Sequence, residues 1–408
     1  MTARWLSIIG IGEDGPAGLT AAARTLLDTA QVLIGGKRHL AMLPEDGRER
    51  HAWPTPMQLL IEEIARFRGR PTAVLASGDP MCFGVGKQLS MQLSADELTV
   101  IPAPSAFSLA AARLVWSLPD TACFTLHGRP VEILACHVHP GARLLMLAHD
   151  RRTPGEVSQW LTGHGFGGSE MTALAHMGGD REARFDGRAD DWTHEVPDLN
   201  TLAVTCIAGP QADWLLRTAG LPDEAFEHDG KITKREVRAL AIARLMPHPG
   251  GLLWDIGAGC GSVSVEWLRA APHGRAIALE PVAERRAMAA RNAAALGVPH
   301  CDIRDARAPA ALAGLSSPDA VFIGGGLAAE TIETAIAALQ PGGRLVAHAV
   351  TLESEALLLA AHARHGGDLT RLAVDRAAPV GRFHGWRPAM PVTQWAWRKA
   401  AGKSGEQK

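Results

Sequence analysis

Leu252-Leu253-Trp254-Asp255-Ile256-Gly257-Ala258-Gly259-Cys260-Gly261 is an apolar run of strand length that breaks into three alternate glycines, and a helical stretch follows from about Ser262 to Arg269. Glycine lets the backbone turn sharply and approach a ligand closely, while the amino end of the helix presents unpaired N–H groups. Strand, glycine loop and helix in that order predict a small-molecule site at the carboxyl end of a parallel strand. The chain around it repeats the unit. Strands are expected at Ala276–Glu280, near Asp302-Ile303, at Ala320–Ile323 and at Arg344–Ala349, with helices between them and a closing pair that reaches Val392–Trp397. Upstream, Thr233-Lys234-Arg235-Glu236 predicts a capping box opening a helix that runs to about Met246, where Pro247 stops it.

Two ligand classes compete for the glycine loop. A dinucleotide would use G-x-G-x-x-G and seat its pyrophosphate at the helix start, yet here the motif is D-x-G-x-G-x-G and the carboxylate of Asp255 stands beside that position. Such a charge suits a cation, and S-adenosylmethionine carries both an ammonium and a sulfonium. Glu280 ends the next strand, where it can accept ribose hydroxyls, although dinucleotide sites place an acid similarly. Asp305-Ala306 ends a third strand and offers an edge for adenine. Three acidic strand ends with no compensating basic loop favour S-adenosylmethionine. The expected cofactor residues are thus Asp255, Gly257, Ala258, Gly259, Cys260, Gly261, Glu280, Asp305 and Ala306. As a combination they resemble a class I methyltransferase domain, which implies a Rossmann-like α/β fold.

The first half also alternates strand with helix, the pattern of parallel sheets covered by helices. Its strands are expected at Leu6–Ile11, Val32–Ile34, Ala73–Ala76, Leu98–Ile101, Leu144–Leu147 and Leu202–Ile207. Gly10-Ile11-Gly12-Glu13-Asp14-Gly15 formally matches a dinucleotide fingerprint, but two acids fill the loop and the next strand ends in Gly35-Gly36-Lys37 without one. More informative are the strand-to-loop passages Ala76-Ser77-Gly78-Asp79-Pro80 and Ile101-Pro102-Ala103-Pro104-Ser105-Ala106. With Gly10 to Gly15 and Leu126-His127-Gly128-Arg129 they resemble the tetrapyrrole methylase (class III methyltransferase) family over nearly all of residues 1–210. That resemblance implies a two-subdomain fold whose cleft holds S-adenosylmethionine, and it carries the cofactor role onto Gly78, Asp79, Pro80, Ser105 and Ala106.

A tetrapyrrole methylase-like half followed by a class I half resembles the bifunctional decarboxylating precorrin methyltransferases of cobalamin biosynthesis. Lys231-Ile232-Thr233-Lys234 and Phe322-Ile323-Gly324-Gly325-Gly326 carry the likeness in the second half. The resemblance implies that Thr233 approaches the cofactor, that the first half methylates one meso carbon (C-5) of a corrin precursor, and that the second methylates the other (C-15) and removes the ring C acetate carboxyl. Domains are expected at 1–212 and 228–400, joined by a linker at 213–227 and followed by a disordered tail at 401–408.

An enamine-like tetrapyrrole carbon is nucleophilic without prior deprotonation, so alignment with the methyl donor does most of the work. No catalytic residue is assigned. His348 and His384 are candidates for the proton donor in decarboxylation, against the commoner reading of each as a hydrogen-bonded structural group. A polycarboxylate substrate calls for cations, and Lys234, Arg129, Arg382 and Arg387 are the candidates, with Gly324 and Gly325 leaving room for the ring. Trp395 and Trp397 read as packing residues.

Composition removes other classes. Of 408 residues 47% are hydrophobic and 21% charged, which excludes wholesale disorder. A net charge of −2 argues against an RNA methyltransferase, since no basic field advertises a nucleic-acid or anionic-membrane partner. Two further alternatives stay open: a non-catalytic tetrapyrrole-binding first half, and a dinucleotide oxidoreductase. Cys82, Cys123, Cys136, Cys206, Cys260 and Cys301 form no C-x-x-C pair, and Cys136-His137-Val138-His139 lacks zinc spacing, so neither disulfides nor a metal are expected. Without a signal peptide or an apolar run of membrane-spanning length, the expected location is cytoplasmic. The family analogy adds a homo-oligomer.

Overall fold

Leu6–Ile11 (β1) buries five of its six residues, the signature of a central parallel strand covered on both faces. It pairs with Thr72–Ser77 (β4) and Leu98–Ile101 (β5), while Val32–Gly35 (β2) pairs with β4 and with Glu49–Ala52 (β3). The result is an all-parallel sheet in the order β3-β2-β4-β1-β5. The polar edge strand β3, Glu49-Arg50-His51-Ala52, has no apolar alternation and was not expected. In the computed structural model, residues 4–54 and 56–401 are described. The expected tail, from 402 onward, lies outside them.

A second sheet follows, and it corrects the expectation of parallel sheets throughout. Ala122–Thr125 (β6), Arg143–Leu147 (β7), Glu170–Ala175 (β8), Ala183–Arg188 (β9) and Asn200–Thr205 (β10) stand in the order β6-β7-β10-β8-β9. Only β6 and β7 are parallel; β10 runs antiparallel to both neighbours, and β8 and β9 form an antiparallel pair. Strand β9 alternates half-buried with exposed residues, as an edge with one wet face does.

The third sheet takes Leu252–Ile256 (β11), Arg275–Leu279 (β12), Asp302–Arg304 (β13), Ala320–Ile323 (β14), Arg344–Ala349 (β15), Asp368–Leu372 (β16) and, beyond the hairpin Asp375–Val380 (β17) and Phe383–Pro388 (β18), Val392–Arg398 (β19). Its order is β13-β12-β11-β14-β15-β19-β16, parallel except where β19 inserts antiparallel between β15 and β16. Both faces are packed: Leu253 joins Val265 and Trp267 on one side, and Leu252, Trp254 and Ile256 join Ile323 and Trp395 on the other. Trp395 is fully buried and donates its indole N–H to Gly366 O.

Two units divide the described chain. One is Met1–Val131 with His137–Asp213, and the other is Trp214–Lys408 with Glu132–Cys136. The stretch read as a linker is therefore corrected from Trp214 onward. Leu221 and Phe226 are buried in the second core, and Glu266 accepts the amides of Gly220 and Leu221, so this segment is held by apolar contact and hydrogen bonds together. The capping box is a second correction. The helix is Arg235–Leu245 with Lys234 at its N-cap and no side-chain cap, so Thr233 stands one residue before the cap, where its carbonyl accepts from the buried Arg238 guanidinium. All six cysteines are free thiols, and burial pushes Cys206 and Cys301 up to about 12. No described helix is long and apolar enough to cross a membrane.

Candidate active sites

In the second unit, β11 enters the glycine loop and the helix Ser262–Ala270 leaves it from Gly261. Gly257 has φ +70°, and a Cβ there would come within 2.5 Å of Gly325 Cα, so only glycine fits where the loops after β11 and β14 touch. The amides of Gly324 and Gly325 both donate to Ile256 O, at 3.0 and 3.2 Å. Read from sequence as room for the ring, these two glycines brace the glycine loop from the side.

Four of the loop's own amides are also occupied. Gly257 and Ala258 donate to Leu279 O, Gly261 to Ala258 O, and Gly259 to Glu280 Oε2 at 2.9 Å. Glu280 is buried and its Oε1 accepts from Val282 N. A carboxylate thus sits where a pyrophosphate would need free donors. Cys260 packs into the core while its carbonyl accepts from Asn292, so it can face a ligand through backbone alone.

Asp255 differs from expectation. It lies within β11, fully buried, and its Oδ2 accepts from Ser264 N at 3.1 Å and Ser264 Oγ at 2.7 Å beneath the loop. Its Oδ1 has no partner among the described residues. Burial pushes the carboxyl up to about 6, against the two Ser264 hydrogen bonds and with help from the charge of Glu280. One of its oxygens is thus committed to the helix start beneath the loop. Asp305 is exposed and paired with Arg286, which also donates to Glu280 O; Ala306 is half-buried against the core. Lys231 O lies 4.0 Å from the Cβ position of Gly259, which brings the loop holding Thr233 alongside. Lys234 Nζ is 3.8 Å from Asp223 and so already has a carboxylate neighbour.

His348 stands on β15, one residue past the Ile323–Ala347 pair and hence level with Gly324. It shares a 2.9 Å hydrogen bond with Gln394 and meets the Phe322 ring edge-on. Burial pushes it down to about 4, which keeps the imidazole neutral at neutral pH. His384, Arg382 and Arg387 lie on or beside the β17–β18 hairpin, a separate two-stranded sheet, and all three are exposed, with Arg382 over the Phe383 ring. The structure gives these residues no shared site with the glycine loop.

In the first unit a cavity of about 650 Å³ opens where β1, β4 and the helix Ala106–Leu114 meet. Gly78, Asp79, Ser105 and Ala106 line it. Gly78, at φ +56°, receives Ala103 N on its carbonyl and donates to Ile11 O, which locks the two loops together. Asp79 Oδ1 accepts from Met81 N, and Ser105 caps its helix through Ser108 N. Pro80 is buried and shapes the loop, its carbonyl accepting from Gly86 N. Arg129 lines a separate cavity of about 290 Å³ with Gly128, Thr153 and His149, the last of which borders both. Sequence reasoning missed Glu13, Arg38 and His176 on the main cavity wall. Glu13 had been noticed only as an acid that spoils a dinucleotide fingerprint.

Comparison with known proteins matches residues 6–192 to the tetrapyrrole (corrin/porphyrin) methylases and residues 224–399 to the precorrin methyltransferase domain. A precorrin-6Y C(5,15)-methyltransferase [decarboxylating] from Sinorhizobium sp is 48% identical over 97% of this chain and 96% of its own. One of the same name from Mycobacterium tuberculosis is 40% identical over 95% of this chain and 98% of its own. The solved C-terminal domain of precorrin-6Y C5,15-methyltransferase from Rhodobacter capsulatus is 48% identical, covering 45% of this chain and 100% of that one with a TM-score of 0.43. With likeness running through nearly the whole of both chains, this protein belongs to the family of decarboxylating precorrin-6Y C(5,15)-methyltransferases.

Proposed function

We propose that the chain methylates C-5 and C-15 of precorrin-6Y and releases the ring C acetate carboxyl as carbon dioxide, using S-adenosylmethionine at both units. One observation carries the cofactor assignment: the amides of Gly257, Ala258, Gly259 and Gly261 are spent within the protein, one of them on the Glu280 carboxylate. A pyrophosphate would meet an acid among largely spent donors; a cationic ligand meets favourable charge. S-adenosylmethionine supplies an electrophilic methyl group.

The protein's part is to hold and to exclude. Thr233, Gly257, Ala258, Gly259, Cys260 and Gly261 form the backbone wall of the second site, with Glu280, Asp305 and Ala306 toward the ribose and adenine, and Asp255 beneath. In the first unit Gly78, Asp79, Ser105 and Ala106 form the wall and Pro80 sets its shape. Alignment of the nucleophilic carbon with the methyl group is worth several powers of ten without any base. The neutral His348 serves the second site as a hydrogen-bonding group, not as a cationic acid. Lys234, and Arg129 at its smaller cavity, offer charge to the substrate's carboxylates, and the substrate, like the cofactor, needs no nucleic acid or membrane.

The test is to incubate the full chain with S-adenosylmethionine and precorrin-6Y. Two methyl groups gained and one carbon dioxide lost per tetrapyrrole is the expected result. NADH bound tightly at the Gly257–Gly261 loop, with no methyl transfer, would overturn it.

A further inference from the structure

Methyl transfer to an enamine-type carbon releases one proton. The C–C bond forms as the S–CH3 bond breaks, the thioether leaves neutral, and the macrocycle stays positively charged until an N–H proton departs. A group suited to receive that proton stands on the wall of the first unit's cavity. His176, directly after β8, lines the cavity, and its Nδ1 is 2.7 Å from Glu13 Oε2. At that distance Nδ1–H donates to the carboxylate, and the ring is fixed in the tautomer whose Nε2 lone pair is open. No hydrogen bond engages Nε2 among the described residues.

The surroundings are built around this pair. Both side chains are nearly buried, 12% exposed for His176 and 11% for Glu13. Arg38 grips the other Glu13 oxygen and is itself braced by Ser77 Oγ at 3.0 Å and His39 Nε2 at 2.8 Å. Arg181 approaches Glu13 Oε2 at 3.8 Å. Burial alone would raise the Glu13 carboxyl, but the His176 hydrogen bond and the charges of Arg38, His176 and Arg181 outweigh it and hold the group below the usual carboxylate range. His39, pushed down to about 4 by burial and by Arg38, adds no charge. Finally, His176 has φ +49°, a conformation side-chain-bearing residues seldom adopt, held by its N–H to Leu199 O. Backbone strain retained on a cleft wall is a mark of function.

We propose that His176 accepts, at Nε2, the proton released in C-5 methylation, and that Glu13 is the positioning residue that fixes its tautomer and orientation. This rests on the reading of the first unit as the C-5 methyltransferase.

The experiment uses the full chain with precorrin-6Y and methyl-labelled S-adenosylmethionine, and reads the C-5 methyl signal. Asparagine tolerates a positive φ, so His176→Asn removes the acceptor with little backbone cost. C-5 methylation should slow by about 100-fold, added imidazole should restore part of it, and S-adenosylmethionine affinity should stay within about twofold. In Glu13→Gln the C-5 rate should fall about tenfold, and the 15N signals of the His176 ring, followed by NMR without cofactor, should move from the Nδ1–H tautomer toward a mixture of the two. The proposal is overturned if His176→Asn methylates C-5 within about threefold of the parent, or if Glu13→Gln moves neither the rate nor the tautomer signals. A parent chain that adds no methyl to C-5 while the tautomer signals do move would instead sink the reading of the first unit, and the proton role with it.

Discussion

Asp255 shows how a residue can be found in sequence while its partners cannot. Its place in D-x-G-x-G-x-G points to a cation; in the fold it is buried, one oxygen is held by Ser264 beneath the loop, and the other has no partner among the described residues. What was legible was the charge requirement; the direction of the side chain depends on the pleat of β11 and on the helix that follows, which a motif does not contain. The consequence is measurable. A carboxyl raised from 3.8 to about 6 on folding stabilises the native state below about pH 4, and that contribution is lost as pH rises through 6. Asp255→Asn removes this dependence. Between pH 4 and pH 7 the parent should lose about 1–3 kcal/mol relative to the variant in urea denaturation. Cofactor affinity runs the other way: in the parent, S-adenosylmethionine binding to the second unit should weaken as pH falls below 6, whereas the variant should bind about tenfold more weakly than the parent at pH 8 and lack this pH dependence. A variant that kept the parent's pH-dependent affinity would show that Asp255 has no electrical role.

At the scale of elements, strands and helices with strong apolar runs were readable, and the errors cluster where polar or short elements depend on neighbours. β3 pairs at an edge without any apolar pattern, and the antiparallel β8–β9 pair was hidden among residues that read as loop. The segment after Trp214 looked like a linker because Leu221-Pro222-Asp223-Glu224 is turn-rich and acidic. In the fold those features have partners: Arg238, fully buried, meets Glu266, Asp223 and the Leu221 carbonyl and lies over the Phe226 ring at 4.7 Å. A fragment of residues 228–408 would leave Arg238 and Glu266 short of partners and would expose the surfaces that Leu221 and Phe226 cover. It should be about 3–5 kcal/mol less stable than a fragment of residues 214–408, from two large apolar side chains together with the lost hydrogen bonds. Chemical denaturation of the two fragments checks this, and equal midpoints would return the segment to the status of a linker.

For the molecule as a whole, the proposed division of labour rests on each unit having its own sheets, its own glycine-shaped loop and its own core. That organisation was legible from the two glycine passages because both follow apolar strands; the wall opposite them, including His176, was not, since it comes from a sheet whose order the sequence did not reveal. If each unit binds its own methyl donor, one backbone substitution per unit should remove one equivalent of binding and leave the other. Gly78→Ala places a Cβ 2.9 Å from Pro104 O at φ +56°, and Gly257→Ala places one 2.5 Å from Gly325 Cα at φ +70°. Each costs about 1–2 kcal/mol in backbone conformation before any clash is counted, so the loop shifts away from its ligand geometry rather than the unit unfolding. Calorimetry should give two equivalents of S-adenosylmethionine for the parent, one for either variant and none for the pair. Carbon dioxide release should be lost in Gly257→Ala, because the second unit is the one assigned that step. Should Gly257→Ala abolish both equivalents, the two halves would be sharing a single donor site, and the assignment of one methylation to each would fail.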